Sequence, residues 1–106
     1  MDIQEIRKLA EQAATKAQQD YLNAHGDGCY CGFAWVNVYV ERTNSKIAKE
    51  LMTIGFKKDY MPKRLNLWAP GNYHGQSMDV LEAGARAYAE VLRGFGFRAH
   101  AGSRPD

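Results

Sequence analysis

Three segments of the chain carry apolar residues at spacings of three and four, which is the pattern of an amphipathic helix. The first segment spans residues 1–24. The second begins after an N-cap at Asn44 or Ser45 and ends at Gly55, because Ser and Asn cap helix starts and Gly favours helix ends. The third begins after Ser77. We therefore predict one long N-terminal helix and two further helices.

Four other segments have the β-branched and aromatic content, or the period-two alternation, of strands. They cover residues 33–41, 56–60, 64–68 and 97–101. After the first helix the order of elements is β-α-β-β-α-β. This order predicts an α+β fold of the ferredoxin-like plan, with a four-stranded antiparallel sheet and two helices on one face. In that plan the first and third strands are central, and the N-terminal helix is an addition.

The whole chain, residues 1–106, is expected to form a single domain, since its mass of 11.9 kDa is that of one ordinary domain. Residues 33–101 form the α+β core in this prediction, and residues 1–24 form the added helix. Residues 102–106 contain Gly, Ser and Pro at the end of the chain, so we expect them to fray as a tail.

Alternation gives the predicted sheet two unlike faces. The apolar face should meet the second and third helices; it collects Ala34, Val36, Val38, Val40, Leu65, Leu67, Phe97, Ala99 and Ala101. The opposite face combines aromatic and hydrogen-bonding side chains, and we call it the polar-aromatic face. Its residues are Trp35, Asn37, Tyr39, Arg64, Asn66, Trp68, Arg98 and His100.

Three arrangements would account for the polar-aromatic face. In the first, the N-terminal helix folds across it and buries the aromatic rings. In the second, two copies of the chain stack these faces in a homodimer. In the third, the face is a ligand platform, on which bases stack while Asn and Arg contact base edges and phosphates. This third arrangement looks like the RNA-recognition module in its fold, although the glycine-aromatic signature of that module is absent.

Composition and charge exclude several classes of protein. Fourteen Lys and Arg against twelve Asp and Glu give a net charge of +2, which excludes a strongly basic nucleic-acid tail and an acidic mimic of DNA. No apolar run approaches the roughly 18 residues of a membrane span, so we expect no membrane partner. The acidic, polar start at Asp2 is not typical of a signal peptide, and we expect a cytoplasmic protein with reduced cysteines.

A second kind of chemistry is suggested by two cysteines. Cys29 and Cys31 follow His25, and His74 could join them from elsewhere in the chain as a zinc ligand. Structural zinc sites usually carry two separated ligand pairs, and only one pair is present here. The alternative is two small residues that enter a strand.

The loop before the third helix offers a candidate anion site. His74, Gln76 and Ser77 stand next to the N–H groups at a helix start, and such groups bind anions readily. The Gly-Lys-Ser/Thr ending of a phosphate-binding P-loop is missing. The alternative is an ordinary helix that is capped by Ser77.

Two parts of the sequence resemble small uncharacterised proteins carried by tailed bacteriophages. They are Cys29–Val36 and Gly75–Val80 with Glu82–Ala87, and the resemblance covers about residues 29–101. It brings no catalytic residue with it. It implies an accessory protein that works in the cytoplasm of a host cell by binding, either to a host or defence protein or to a nucleotide signal.

We therefore expect a binding protein without a cofactor and not an enzyme, because no spacing in the sequence pairs a nucleophile with a base. The leading hypothesis is a nucleotide or nucleic-acid ligand on the polar-aromatic face. The alternative is an oligomer, such as a homodimer, that inhibits a host or defence protein. A second alternative is a zinc-binding protein or hydrolase that uses Cys29 and Cys31.

Overall fold

The computed structural model describes residues 2–26 and 30–106. Within them the elements are α1 (Ile3–His25), β1 (Gly32–Tyr39), α2 (Lys46–Thr53), β2 (Lys57–Lys58), β3 (Arg64–Trp68), α3 (Met78–Gly94) and β4 (Arg98–Pro105). The fold is α+β with an open, four-stranded antiparallel sheet, which confirms the predicted class. None of the described helices has the length and apolar content that a lipid bilayer requires.

The strands are arranged in the order β2-β3-β1-β4, so β1 and β3 lie inside the sheet as expected. β1 pairs with β3 in a register that places Trp35 opposite Trp68 and Tyr39 opposite Arg64. On its other side β1 pairs with β4, and Tyr39 lies opposite Arg98. The short β2 and the long β4 form the two edges of the sheet. This order places the aromatic residues of β1 and β3 at its centre.

The residues predicted to begin and end the helices do so. Ser45 Oγ accepts a hydrogen bond from the N–H of Ala48 at 3.2 Å, and Ser77 Oγ accepts one from the N–H of Val80 at 3.5 Å. These bonds satisfy N–H groups that have no partner within the helix. Gly55 follows α2 with a φ of 107°, a conformation that side chains with a Cβ avoid. Local chemistry thus sets these boundaries.

The core lies between the apolar face of the sheet and the helices. Val36, Val38 and Leu65 are completely buried there. α3 packs against β1 and β4, and α2 adds Ala48 and Leu51 to the same cluster. The sequence prediction that these strand positions meet the second and third helices is confirmed.

α1 packs along α3 and not across the polar-aromatic face. The Gln18 side chain of α1 lies where a Cβ on Gly84 would be, so the absence of a side chain at Gly84 permits the close approach. The Tyr21 hydroxyl donates a hydrogen bond to the Asp79 carboxylate at 3.2 Å. Trp68 remains 47% exposed. The arrangement in which α1 covers the aromatic rings is therefore wrong, because the small residues of α3 offer α1 a closer partner.

The expected tail at residues 102–106 is also wrong, because β4 continues to Pro105 and stays paired with β1. The absence of a side chain at Gly102 allows β4 to stay paired with β1 beyond residue 101. The indole of Trp35 lies across it, and a Cβ at Gly102 would be only 2.6 Å from the indole nitrogen. The Ser103 hydroxyl also donates a hydrogen bond to a carboxylate on α3. Tertiary contacts thus keep the end of β4 paired with β1, although the composition of residues 102–106 alone indicates fraying.

Candidate functional site

The polar-aromatic face lies on the side of the sheet opposite the core. Cross-strand pairing arranges its residues in rows, because directly opposed residues point to the same face. The rows join Trp35 to Trp68, Asn37 to Asn66 and His100, and Tyr39 to Arg64 and Arg98. The structure therefore brings together all of the residues that the sequence analysis assigned to this face.

The first feature of the face is a cluster of aromatic rings. Trp35 and Trp68 are stacked, with ring centroids 4.7 Å apart and ring planes 28° apart. The Phe33 ring meets Trp68 edge-on at a centroid distance of 6.1 Å. Phe33 is 39% exposed and Trp68 is 47% exposed. We name these three residues the tryptophan cluster. Its exposed π-surface can accept another flat ring by stacking.

A second, smaller aromatic cluster lies further along β1. Tyr39 and His100 stack with ring centroids 5.3 Å apart and ring planes 29° apart. The guanidinium carbon of Arg98 lies 5.9 Å from the centroid of the Tyr39 ring, which is within cation–π range. We name Tyr39 and His100 the tyrosine cluster. This arrangement places a cation beside an aromatic surface, which suits a ligand with both a ring and a negative charge.

Arg64 is largely buried and is bound by neighbouring side chains. Hydrogen bonds to Tyr39 and to Asp59, in that order of importance, raise the pKa of Arg64 above its ordinary value. Burial acts to raise the pKa of Asp59, but hydrogen bonds from Arg64 and from the N–H of Tyr60 outweigh it, so the pKa of Asp59 lies below its ordinary value. Both side chains in this ion pair are largely buried. The ligand contact of Arg64 stays a prediction, and the charge of Arg64 is largely balanced by Asp59.

Arg104 belongs to the same face, and the sequence analysis missed it. Its guanidinium carbon lies 5.4 Å from the centroid of the Phe33 ring. Neither Arg104 nor Arg98 forms an ion pair with a carboxylate of the described residues. Arg104 is in phase with Arg98 and His100 along β4, so the period-two pattern would have found it. Arg104 was not assigned to the face because residues 102–106 were expected to fray.

Asn37 lies at the centre of the face, between the two clusters. It is only 4% exposed, and its Oδ1 atom has no hydrogen-bond partner among the described residues. Buried polar atoms are nearly always hydrogen-bonded, so this acceptor is unusual. Its neighbours across β1 are Asn66 and His100, which bring an amide and an imidazole to the same row. The centre of the face therefore carries polar groups of the kind that recognise base edges.

A pocket of about 250 Å³ opens beside the tryptophan cluster. It lies toward the β2 edge and is lined by Trp35, Asp59, Tyr60, Arg64, Asn66, Trp68 and Arg104. The lining combines aromatic rings with amide and guanidinium groups. The polar-aromatic face thus has a concave part as well as its flat rings.

The predicted anion site before α3 has a different character. The N–H of Ser77 donates to the Tyr73 hydroxyl at 3.2 Å, and the N–H of Met78 donates to the carbonyl oxygen of Tyr30 at 2.9 Å. Ser77 is buried and caps the helix, while His74 and Gln76 are exposed. Protein groups already use several of the N–H donors that an anion would need, and the anion site stays a prediction.

The predicted zinc ligands are not gathered by the described part of the chain. Cys31 is exposed, and His25 stacks on Tyr21 with ring centroids 4.6 Å apart. Residues 2–26 and 30–106 contain no group of three or more His, Cys, Asp or Glu side chains arranged to hold a metal ion. Cys29 lies outside the described residues. A zinc site that uses Cys29 stays a prediction.

No family model, no curated protein and no solved structure matches this chain. The function must therefore be argued from the geometry of the face itself.

Proposed function

We propose that this chain is a binding protein whose polar-aromatic face takes a nucleotide or a single-stranded nucleic acid. The observation that carries the proposal is the tryptophan cluster, which stays open to solvent at the centre of the sheet because α1 packs elsewhere. Stacking of one base on an aromatic side chain is worth about 1–3 kcal/mol and tolerates any base. Trp68 offers such a surface, and Trp35 stacked against it limits its movement.

The charges on the face support a ligand that contains phosphate. Arg98 and Arg104 both lie on β4 and are both exposed. Each lies beside an aromatic ring and is unpaired among the described carboxylates. A strand whose bases stack on the rings would bring its phosphates close to these guanidinium groups, which bind phosphate well. Local positive charge, and not the small net charge of the chain, supplies the electrostatic attraction.

We extend the proposal to the fold and to the biological setting. The order β2-β3-β1-β4, with β1 and β3 inside, supports the ferredoxin-like plan. In that plan the aromatic residues of the two inner strands form a platform on the face that the helices leave free. The resemblance to phage proteins supports an accessory protein that acts in the cytoplasm of a host cell.

The test compares two variants that each remove exposed aromatic surface. The first is the double variant Trp35→Ala with Trp68→Ala, and the matched control is Tyr30→Ala, since Tyr30 is exposed but lies before β1. Fluorescence anisotropy would measure binding of a labelled single strand of about 12 nucleotides, as RNA and as DNA. We expect the double variant to bind at least about 30-fold more weakly, and the control to bind as the wild type does. Equal affinity of the double variant and the wild type would refute the proposal.

A second candidate is a protein partner, either a second copy of the chain or a host or defence protein that the chain inhibits. The exposure of Phe33 and Trp68 favours it, because aromatic and arginine side chains are enriched at protein interfaces. Light scattering on the wild type and on the double variant distinguishes the homodimer from the ligand platform. A wild-type mass near twice 11.9 kDa that falls to 11.9 kDa in the double variant would favour the dimer.

A further inference from the structure

Along β1 a polar residue separates the two aromatic clusters. Residues 33 and 35 belong to the tryptophan cluster and residue 39 belongs to the tyrosine cluster, with Asn37 between them. Alternate residues of a strand are about 6.6 Å apart, so Trp35, Asn37 and Tyr39 mark three levels that together span about 13 Å. The side chains of this face are therefore evenly spaced along β1.

This spacing limits the number of nucleotides in the ligand. Neighbouring bases of a stacked strand are about 3.4 Å apart, which is half the spacing of the levels. A single nucleotide can reach only one cluster. A strand whose bases are unstacked and whose backbone is straightened can place one base at each level. An extended ligand of three consecutive nucleotides thus fits both clusters with one base at each level.

The middle level carries an unused hydrogen-bond acceptor. Asn37 is 4% exposed, and no residue in 2–26 or 30–106 donates a hydrogen bond to its Oδ1 atom. His100 is the neighbour of Asn37 across the β1–β4 pair and is itself exposed, so this level of the face opens to solvent beside Asn37. Each of the four bases carries an N–H donor on its Watson–Crick edge. A base at this level can donate the hydrogen bond that no described residue donates to Asn37 Oδ1.

Arg98 and Arg104, which form no ion pair with a described carboxylate, both lie on β4, beside the three levels of β1. Arg104 is next to the Phe33 ring and Arg98 is next to the Tyr39 ring, so both ends of the three levels have a cation on β4. The phosphates of a strand that follows β4 would contact them in turn. The bases of that strand would then point toward β1, where the clusters and Asn37 lie.

We propose that the polar-aromatic face binds three consecutive unpaired nucleotides, with the outer two bases stacked on the two clusters and the middle base donating a hydrogen bond from its Watson–Crick edge to Asn37 Oδ1. This inference rests on the proposed function and adds the length of the ligand and the residue that recognises a base. Because base pairing occupies the same edge, a duplex of the same sequence is not bound in this way.

The first experiment measures the length of the site. Unlabelled mononucleotides, dinucleotides, trinucleotides and tetranucleotides compete with the labelled strand for the wild-type protein, in separate RNA and DNA series. We expect the trinucleotide to compete at least about tenfold better than the dinucleotide, and the tetranucleotide to add less than about threefold. A mononucleotide that competes as well as the trinucleotide would overturn the inference. If the oligonucleotides of only one series compete, that series shows whether the ligand is RNA or DNA.

The second experiment tests Asn37 with a trinucleotide whose middle base is removed to leave an abasic sugar. Wild-type protein is expected to bind the abasic form about tenfold more weakly. Asn37→Leu, which removes the amide but keeps the size of the side chain, should bind the intact and abasic forms within about threefold of each other. Asn72→Leu is the matched control, because Asn72 is exposed in the loop before α3, and it should keep the tenfold difference.

Folding is checked by thermal unfolding of the same variants. Asn37→Leu should unfold at a temperature no lower than the wild type, since it removes a buried acceptor that has no partner in the described part of the chain. If Asn37→Leu does not fold, Asn37→Ala replaces it in the abasic comparison. An Asn37 variant that folds and still shows the tenfold difference overturns the inference. That result leaves the proposed function intact, whereas full binding by the tryptophan double variant removes both.

Discussion

The apolar face and the polar-aromatic face are made by alternate residues of the same strands, yet they have different surroundings. Val36 and Leu65 are completely buried beneath the helices, whereas Trp68, next to Leu67 on β3, is 47% exposed. α1 adds to the covered side, since it packs on α3. Stability thus depends mainly on the covered face, whereas the binding that we propose uses the opposite, open face of the same sheet. Changes on one face should therefore leave the property of the other largely unchanged.

The largest expected effect comes from truncation on the covered face. Leu65→Ala should lower the free energy of unfolding by about 2–5 kcal/mol, because it leaves a cavity in a fully buried site. Trp68→Ala on the open face should lower it less than Leu65→Ala does, because Trp68 is 47% exposed and its loss leaves no enclosed cavity. Urea unfolding measures both. A Trp68→Ala variant that is destabilised as strongly as Leu65→Ala would contradict the division of roles.

The next prediction tests where α1 packs. Gln18 is 1% exposed, and its Nε2 atom donates a hydrogen bond to the carbonyl oxygen of Pro70 at 2.9 Å. Gln18→Ala should lower the free energy of unfolding by about 1–3 kcal/mol, because that buried carbonyl loses a donor. The exposure of Trp35 and Trp68 should not change, since α1 does not cover them.

Acrylamide quenching of tryptophan fluorescence measures that exposure, because both tryptophans of the chain lie on the open face. Exposed Gln19→Ala on the same helix is the control for helix propensity. Quenching that increases in folded Gln18→Ala would mean that α1 shields the open face.

The smallest effect is expected at Arg64 and Asp59. Asp59→Asn should lower the free energy of unfolding by about 1 kcal/mol at neutral pH, because the single amide oxygen of Asn can keep one of the two hydrogen bonds that the carboxylate accepts from Arg64 and from the N–H of Tyr60. The pKa of Asp59 is lower in the folded chain than in the unfolded chain. Ionised Asp59 therefore stabilises the fold above the pKa of the unfolded chain, and this contribution is lost as the pH falls through the folded value.

Urea unfolding of the wild type and of Asp59→Asn over a pH series checks this sign. The difference between them should be constant near neutral pH and shrink below about pH 4. A difference that grows on acidification would contradict the assigned direction of the pKa shift.

Much of the local structure was predictable. β3 has the predicted bounds, and Ser45 and Ser77 cap the helices that they were expected to cap. Alternation assigned Trp35 and Trp68 to one face and Val36 to the other, because side chains of a strand point to opposite faces in turn. These features depend on neighbours in the sequence, and so the sequence reveals them.

Other features depend on residues that are distant in the sequence. The apolar stripe of α1 would suit either face of the molecule, and the close approach at Gly84 decides in favour of α3. Arg64 looks like a free cation until Asp59 is placed beside it. Arg104 was excluded with the expected tail. In each case the sequence pattern was compatible with several partners, and it could not choose among them.

By itself, the sequence determined where the helices and strands lie along the chain and which strand residues share a face, because period and capping are local properties. Only the tertiary structure decided that the polar-aromatic face stays open, that β4 extends to Pro105, and that Asn37 Oδ1 is buried without a partner among the described residues. These outcomes depend on which surfaces fit each other closely. Such a fit is a property of the packed chain and not of any single segment.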